Sequence, residues 1–299
     1  MNYPDCVAHA IGQTYLLNDR DFAELLIKEG FLSPGPFCCT QCGLVMNLNS
    51  SNNTTDGCAW KCPNNRCRRS ISIRTNSMFY GCGFSLKAIY VIYACFAANF
   101  RPIDIVQVVG VKDLHGVNRL LSLFRARAVQ KYQTDITQHP LGQFNTVQMD
   151  ESALGKAKHH KGRALKRDCN WVVGAFEEHT NRVAVQNVSN RTSATLMNFV
   201  HQNIVPGAQI YTDQWPAYNS LTANGYVHKT VNHSIQFVNV LPSGERVNTE
   251  KAESGWGSMK KFLDHHSAYH RKYTNEYIQT WAYRKNLVHS YHDAFQTIL

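Results

Sequence analysis

The sequence predicts an α/β protein carrying a metal-stapled unit, on three observations. Its second half alternates β-prone runs with amphipathic stretches: strands are expected at residues 146–149, 171–176, 182–188, 208–212 and 226–231, and helices at 193–205 and 215–223. Seven of the ten cysteines fall between Cys38 and Cys82. Between these two regions the patterning is mainly helical, from residue 85 to residue 131. Three strands, helix, strand, helix, strand is the order of a ribonuclease-H-like core, a mixed five-stranded sheet with flanking helices.

Along the chain, residues 16–30 carry apolar positions at helical spacing, with Asn18 or Asp19 as cap and Gly30 as stop. Residues 37–80 mix Cys, Asn and Gly with a short β-prone run at 70–74 and a loop-like polar insertion at 47–57, too poor in apolar side chains to fold unaided. Residues 85–100 are apolar on nearly every side and read as a buried helix capped by Ser85 and ended before Pro102. Helical patterns at 102–109 and 114–131 flank a turn at 110–112, so a helix-turn-helix is expected there, an ordinary helical hairpin being the plainer alternative. Residues 134–144 hold His139, Pro140 and Gly142 and lack helical periodicity, which marks a boundary. Four parts result: a helical segment (1–36), a zinc ribbon (37–82), a helical DNA-binding region (83–135) and the ribonuclease-H-like domain (144–290).

At 299 residues and 43% hydrophobic content the chain can bury a sizeable core. Its 31 Lys and Arg against 21 Asp and Glu give a net charge of +10, a field that favours polyanions. No stretch approaches the ~18 to 20 apolar residues that span a bilayer, and the first residues lack a signal-peptide pattern. An intracellular location is expected, nuclear in a eukaryote and cytoplasmic in a bacterium.

Cysteines clustered in a reducing compartment point to metal ligation. Cys39-Thr40-Gln41-Cys42-Gly43 and Cys62-Pro63-Asn64-Asn65-Arg66-Cys67 offer two thiolate pairs separated by a loop, as one tetrahedral structural zinc ion requires. Cys58 or Cys38 could replace one of the four. Isolated Cys6, Cys95 and Cys169 read as buried small hydrophobes. Arg66, Arg68, Arg69 and Arg74 follow the second pair and suit phosphate contacts, or a solvated basic face. Arg119, Arg125 and Arg127 on the helix-turn-helix suit the same role.

Asp150 and Asp213 each stand at the end of an apolar strand, and in the expected topology those strands are parallel neighbours. Their carboxylates would share a divalent cation, which hard oxygen donors suit. Further on, residues 248–262 read as a helix capped by Asn248 or Thr249, and Glu253, forty positions after Asp213, recurs with Trp256, Lys260 and Leu263 at three- and four-residue intervals. Each acid alone would read as a solvated surface group. Their placement on two strand ends and a later helix is harder to dismiss.

The chain resembles the eukaryotic Merlin transposases and the related ISXO2-like insertion-sequence transposases of bacteria over residues 37–290. The matching pieces are Cys67-Arg68-Arg69-Ser70, Val147-Gln148-Met149-Asp150-Glu151, Tyr211-Thr212-Asp213-Gln214-Trp215-Pro216-Ala217-Tyr218, Val231-Asn232-His233-Ser234 and Asn248-Thr249-Glu250-Lys251-Ala252-Glu253-Ser254-Gly255-Trp256. The resemblance implies catalysis by Asp150, Asp213 and Glu253 with two magnesium or manganese ions, and recognition of element ends on duplex DNA by the ribbon and helix-turn-helix, in a homodimer or larger assembly. Gly255 departs from it, standing where an aromatic is common, as does the glycine run after Glu151, reduced to Gly155. The basic block of Lys156, Lys158, Lys161, Arg163, Lys166 and Arg167 is similar to a DNA-backbone contact loop, with a nuclear-import signal or plain solvated loop as alternatives. Lys260 and Lys261 extend that surface. His233 reads as a hydrogen-bonded structural histidine, with a DNA contact or a place near the metals as the alternative. Two rival functions share these features: a zinc-ribbon DNA-binding regulator derived from a transposase, and a nuclease for RNA–DNA hybrids.

Overall fold

The computed structural model describes residues 3–154, 170–231, 238–240, 242, 244, 246–267 and 272–289. They form two compact units, one running to Phe124 and one from Arg125 to His289.

The first unit opens with α1 (Tyr3–Leu16) and α2 (Asp19–Lys28). Asn18 caps α2 as expected, its side chain accepting from the amides of Arg20 and Asp21. A three-stranded antiparallel sheet follows, β1 (Asn47–Ser50), β2 (Cys58–Lys61) and β3 (Ser70–Ser72). β1 lies within the expected loop; its side chains are mostly exposed, so it carries no apolar alternation and is fixed by pairing with β2. Arg74, expected on a phosphate-binding face, is turned inward instead. Its guanidinium grips both oxygens of Asp56 at 2.6 Å and donates to the carbonyls of Cys82 and Phe84. Asp56 in turn accepts from the amide of Leu86, so this buried pair ties the small sheet to the next helix.

That helix, α3 (Leu86–Ala97), is capped by the Ser85 hydroxyl and buried on nearly every side, as its sequence requires. Next come α4 (Pro102–Val109), closed by Gly110 at φ 71°, and α5 (Leu114–Gln138). Phe31, Phe79, Tyr93, Phe96 and Phe124 interlock at the centre of this unit. α5 runs past its expected end at Lys131 into the segment read as a boundary, because Tyr132 and Ile136 are buried and Asp135 pairs with Arg182. Pro140 then forbids its continuation.

The second unit is built on β4 (Val147–Leu154), β5 (Asn170–Glu177), β6 (Val183–Val188), β7 (Gln209–Thr212) and β8 (Val227–Thr230), in the order β6-β5-β4-β7-β8. β4, β5 and β6 are antiparallel neighbours; β7 is parallel to β4 and β8 to β7. This is the mixed sheet expected of a ribonuclease-H-like core. α6 (Ser193–Asn203) connects β6 to β7. Between β7 and β8 the expected helix is replaced by two 3-10 turns, Pro216–Tyr218 and Thr222–Asn224, since Asn219, Ser220, Thr222 and Asn224 favour turns over helix. A hairpin of β9 (Val238–Val240) and β10 (Arg246–Asn248) leads into α7 (Glu250–His265), and α8 (Thr274–Leu287) packs beside β6. No helix among the described residues is long and apolar enough to cross a membrane.

Candidate active site

Asp150 sits in the middle of β4, not at its end, and alternates with Glu151 across the sheet. The parallel register pairs Val147 with Ile210 and Gln148 with Tyr211; continued along the strands, it sets Asp150 opposite Asp213, the first residue beyond β7. The two expected acids therefore lie on neighbouring strands, Asp150 within β4 and Asp213 just past the end of β7. Asp213 accepts the Trp215 amide at 2.9 Å, a local turn that fixes its carboxylate.

α7 is docked to this face by two polar contacts to β4. Buried Gln148 accepts from the amides of Lys251 and Ala252 with its carbonyl oxygen and donates to Glu178 and Asn248 with its amide nitrogen. It thereby satisfies orphan donors at the N-terminus of α7. Two residues on, Asp150 accepts from the indole Nε1 of buried Trp256 at 3.0 Å. Glu253 lies between these anchors, in the first turn of α7 and exposed. Gly174, the cross-strand partner of Asp150, lets Trp256 approach: a Cβ there would come within 2.7 Å of the indole. Gly255 meets Phe176 in the same way, at 2.1 Å, and Phe176 packs edge-on against Trp256. Phe176 from β5 thus fills the space beside Gly255.

On the opposite face Glu151 is almost wholly buried, accepts from the Tyr218 hydroxyl and pairs with Arg191 at 3.6 Å. Burial pushes its pKa up; the Tyr218 hydrogen bond and Arg191 oppose that, while the charges of Asp150 and Asp213 add to it. Asp150 and Asp213, carboxylates on adjacent strands, offer the hard oxygen donors that a divalent cation suits. Asp150, Asp213 and Glu253 do not converge as a trio to within 4.8 Å of one another, as the ligand atoms of the cysteine quartet do.

That quartet is Cys39, Cys42, Cys62 and Cys67, the four expected thiolates. Cys39 and Cys42 lie in the turn after α2, Cys62 follows β2, and Cys67 precedes β3. The amides of Gln41 and Cys42 point at the Cys39 thiol and hold its pKa down to about 6. Cys58 is buried elsewhere, its thiol directed at the carbonyls of Asp56 and Asp19, and Cys38 is exposed outside the cluster. Four thiolates fit one structural zinc ion and leave no open position for chemistry.

Of the residues expected to meet DNA, Arg66, Arg68, Arg69, Arg119, Arg127, Lys260 and Lys261 are exposed. Arg125 is not. It is buried, pairs with Glu276 and stacks 4.5 Å from the centroid of Tyr277, so its assignment to a phosphate surface is corrected: it joins α5 to α8. Lys156, Lys158, Lys161, Arg163, Lys166, Arg167, Gly155, Cys169 and His233 lie outside the described residues.

Residues 141–286 match the ISXO2-like transposase domain. The sheet, Asp150, Asp213, Glu253 and Trp256 all fall inside this transposase-domain match. Similar solved structures include the catalytic core domain of BIV integrase, at 13% identity and a TM-score of 0.32 over 49% of this chain and 85% of that one. A simian T-cell lymphotropic virus intasome, solved with a PP2A regulatory subunit, gives 14% identity and a TM-score of 0.29 over 46% and 47%. No curated protein matches the chain.

Proposed function

We propose that the chain is a DDE-type DNA transposase that cuts at element ends and joins them to target DNA, with Asp150, Asp213 and Glu253 as ligands of two magnesium or manganese ions. The placement of Asp150 and Asp213 on adjacent parallel strands, inside a stretch that matches a transposase domain, supports this reading. When bound, such ions activate the attacking water or 3′-hydroxyl and stabilise the leaving oxygen of a phosphodiester. The protein's own residues prepare the site. Trp256 fixes the rotamer of Asp150, the Trp215 amide that of Asp213, and Gln148 holds the start of α7 so that Glu253 is presented on the same face.

Exposed Arg66, Arg68, Arg69, Arg119, Arg127, Lys260 and Lys261, with the basic block at 156–167, supply the phosphate contacts that register duplex DNA. The cysteine quartet holds one zinc ion that folds the ribbon, and two or more copies assemble on paired ends. The test is incubation of the full chain with element-end duplexes and Mg2+ or Mn2+, wild type against Asp213→Asn. Metal-dependent 3′-end cleavage and joining, lost in the variant, is expected; tight end binding without cleavage in either protein would assign the chain to regulators instead.

A further inference from the structure

Arg191, in the turn between β6 and α6, touches three separate parts of the second unit. Its guanidinium carbon lies 3.8 Å from the ring centroid of Trp171 on β5 and 4.6 Å from that of Trp215, and its Nη1 is 3.6 Å from Glu151 on β4. The turn that carries it is itself braced. Asn190 accepts from the Thr192 amide and from the hydroxyls of Thr192 and Thr195, and Thr192 caps α6. Trp215 belongs to the segment just after β7, and its amide is the donor to Asp213. The same segment is tied again by the hydroxyl pair Ser193–Ser220 at 2.8 Å and by Tyr218 on Glu151.

A guanidinium is planar and can stack on aromatic faces while its edge meets a carboxylate; an ammonium cannot do both. We propose that Arg191 is a positioning residue for Asp213, acting through Trp215: stacked on Trp171 and Trp215 and paired with Glu151, it clamps the segment that begins at Asp213 onto β4 and β5. The proposal rests on the reading of Asp150 and Asp213 as metal ligands. Arg191 lies on the Glu151 face, opposite that of Asp150, so its effect on Asp213 passes through the backbone of Trp215.

The test measures Mn2+ binding by electron paramagnetic resonance, together with the thermal midpoint, on the full chain without DNA. Wild type is compared with Arg191→Met, Arg191→Lys, Trp215→Leu and, as reference, Asp213→Asn. Loss of a residue that orients a ligand typically weakens metal binding about 10- to 100-fold, the effect expected for Arg191→Met and Trp215→Leu at a near-native midpoint. Arg191→Lys, which keeps the charge and loses the stack, should stay impaired. Should Arg191→Met not fold, Trp215→Leu and Arg191→Lys carry the same comparison. Wild-type Mn2+ affinity in Arg191→Met alongside weakened binding in Asp213→Asn overturns the proposal and leaves the metal site standing. Wild-type affinity in Arg191→Lys breaks the link through Trp215. Unchanged binding in Asp213→Asn overturns the metal-site reading itself.

Discussion

Trp256 combines packing and polarity in one side chain: its ring fills the space above Gly174 and its N–H holds Asp150. Replacing it by Phe keeps most of the apolar burial and removes the donor. The expected result is a loss of about 1 kcal/mol in stability but about 10- to 100-fold in Mn2+ affinity or cleavage rate, read by thermal melts and metal titration side by side. Gly255 invites the opposite kind of test. In an ordinary helix interior Gly→Ala stabilises by about 1 kcal/mol, yet here a Cβ would sit 2.1 Å from a ring carbon of buried Phe176. Overpacking of about 1–3 kcal/mol should therefore win, making Gly255→Ala destabilising in urea melts, with Phe176→Leu in the same chain restoring much of the loss.

At the scale of elements, the small sheet of the first unit has little apolar surface of its own, its core being Cys39, Met46, Trp60 and Cys62 with a few partly buried neighbours. Metal binding must stand in for a core there. Cys62→Ser is expected to release the zinc ion, measurable by elemental analysis, and to unfold the ribbon, visible as lost Trp60 fluorescence shift; Cys58→Ser should retain a full equivalent. α8 shows why some elements escape a reading of hydrophobic period. Its buried face includes Thr274, Thr280 and Asn286, and Asn286 spends its amide on the backbone N–H and C=O of Val183, covering part of the edge strand β6. Ile278, Trp281 and Ala282 share that buried surface, so the apolar stripe is interrupted by polar side chains and is harder to detect.

For the whole molecule, the five-stranded sheet was legible because each strand is a short β-branched or aromatic run bounded by turn residues. The adjacency of the strands that carry Asp150 and Asp213 was legible too, because the expected topology makes β4 and β7 parallel neighbours. The polar partners of Gln148, Trp256 and Arg191 were not, since a polar side chain announces its partner only once distant elements are packed; Arg125 was misread for the same reason, a buried ion pair looking like a surface charge in sequence. Global stability offers a test of that packing. His266 lies against Phe262 and Tyr277, and burial, reinforced by His265, Arg284 and Arg125, pushes its pKa down to about 3. The unfolded chain protonates it near the usual value of about 6.5, so its contribution is complete above that pH and is lost as pH falls toward the folded value. The loss should not exceed about 1.4 kcal/mol per pH unit, and His266→Phe should flatten the acid limb of the thermal midpoint against pH; an acid limb identical to wild type would discharge His266 from that role.

Asp150 and Glu151 stand next to each other and look in opposite directions, so the chemistry of β4 depends on odd-even parity. A slip of one residue would exchange the acid that meets Trp256 for one that meets Tyr218 and Arg191. Gln148 has the parity of Asp150 and is locked to the first turn of α7. It acts as an index mark, telling the strand which of two neighbouring carboxylates is to look toward that helix.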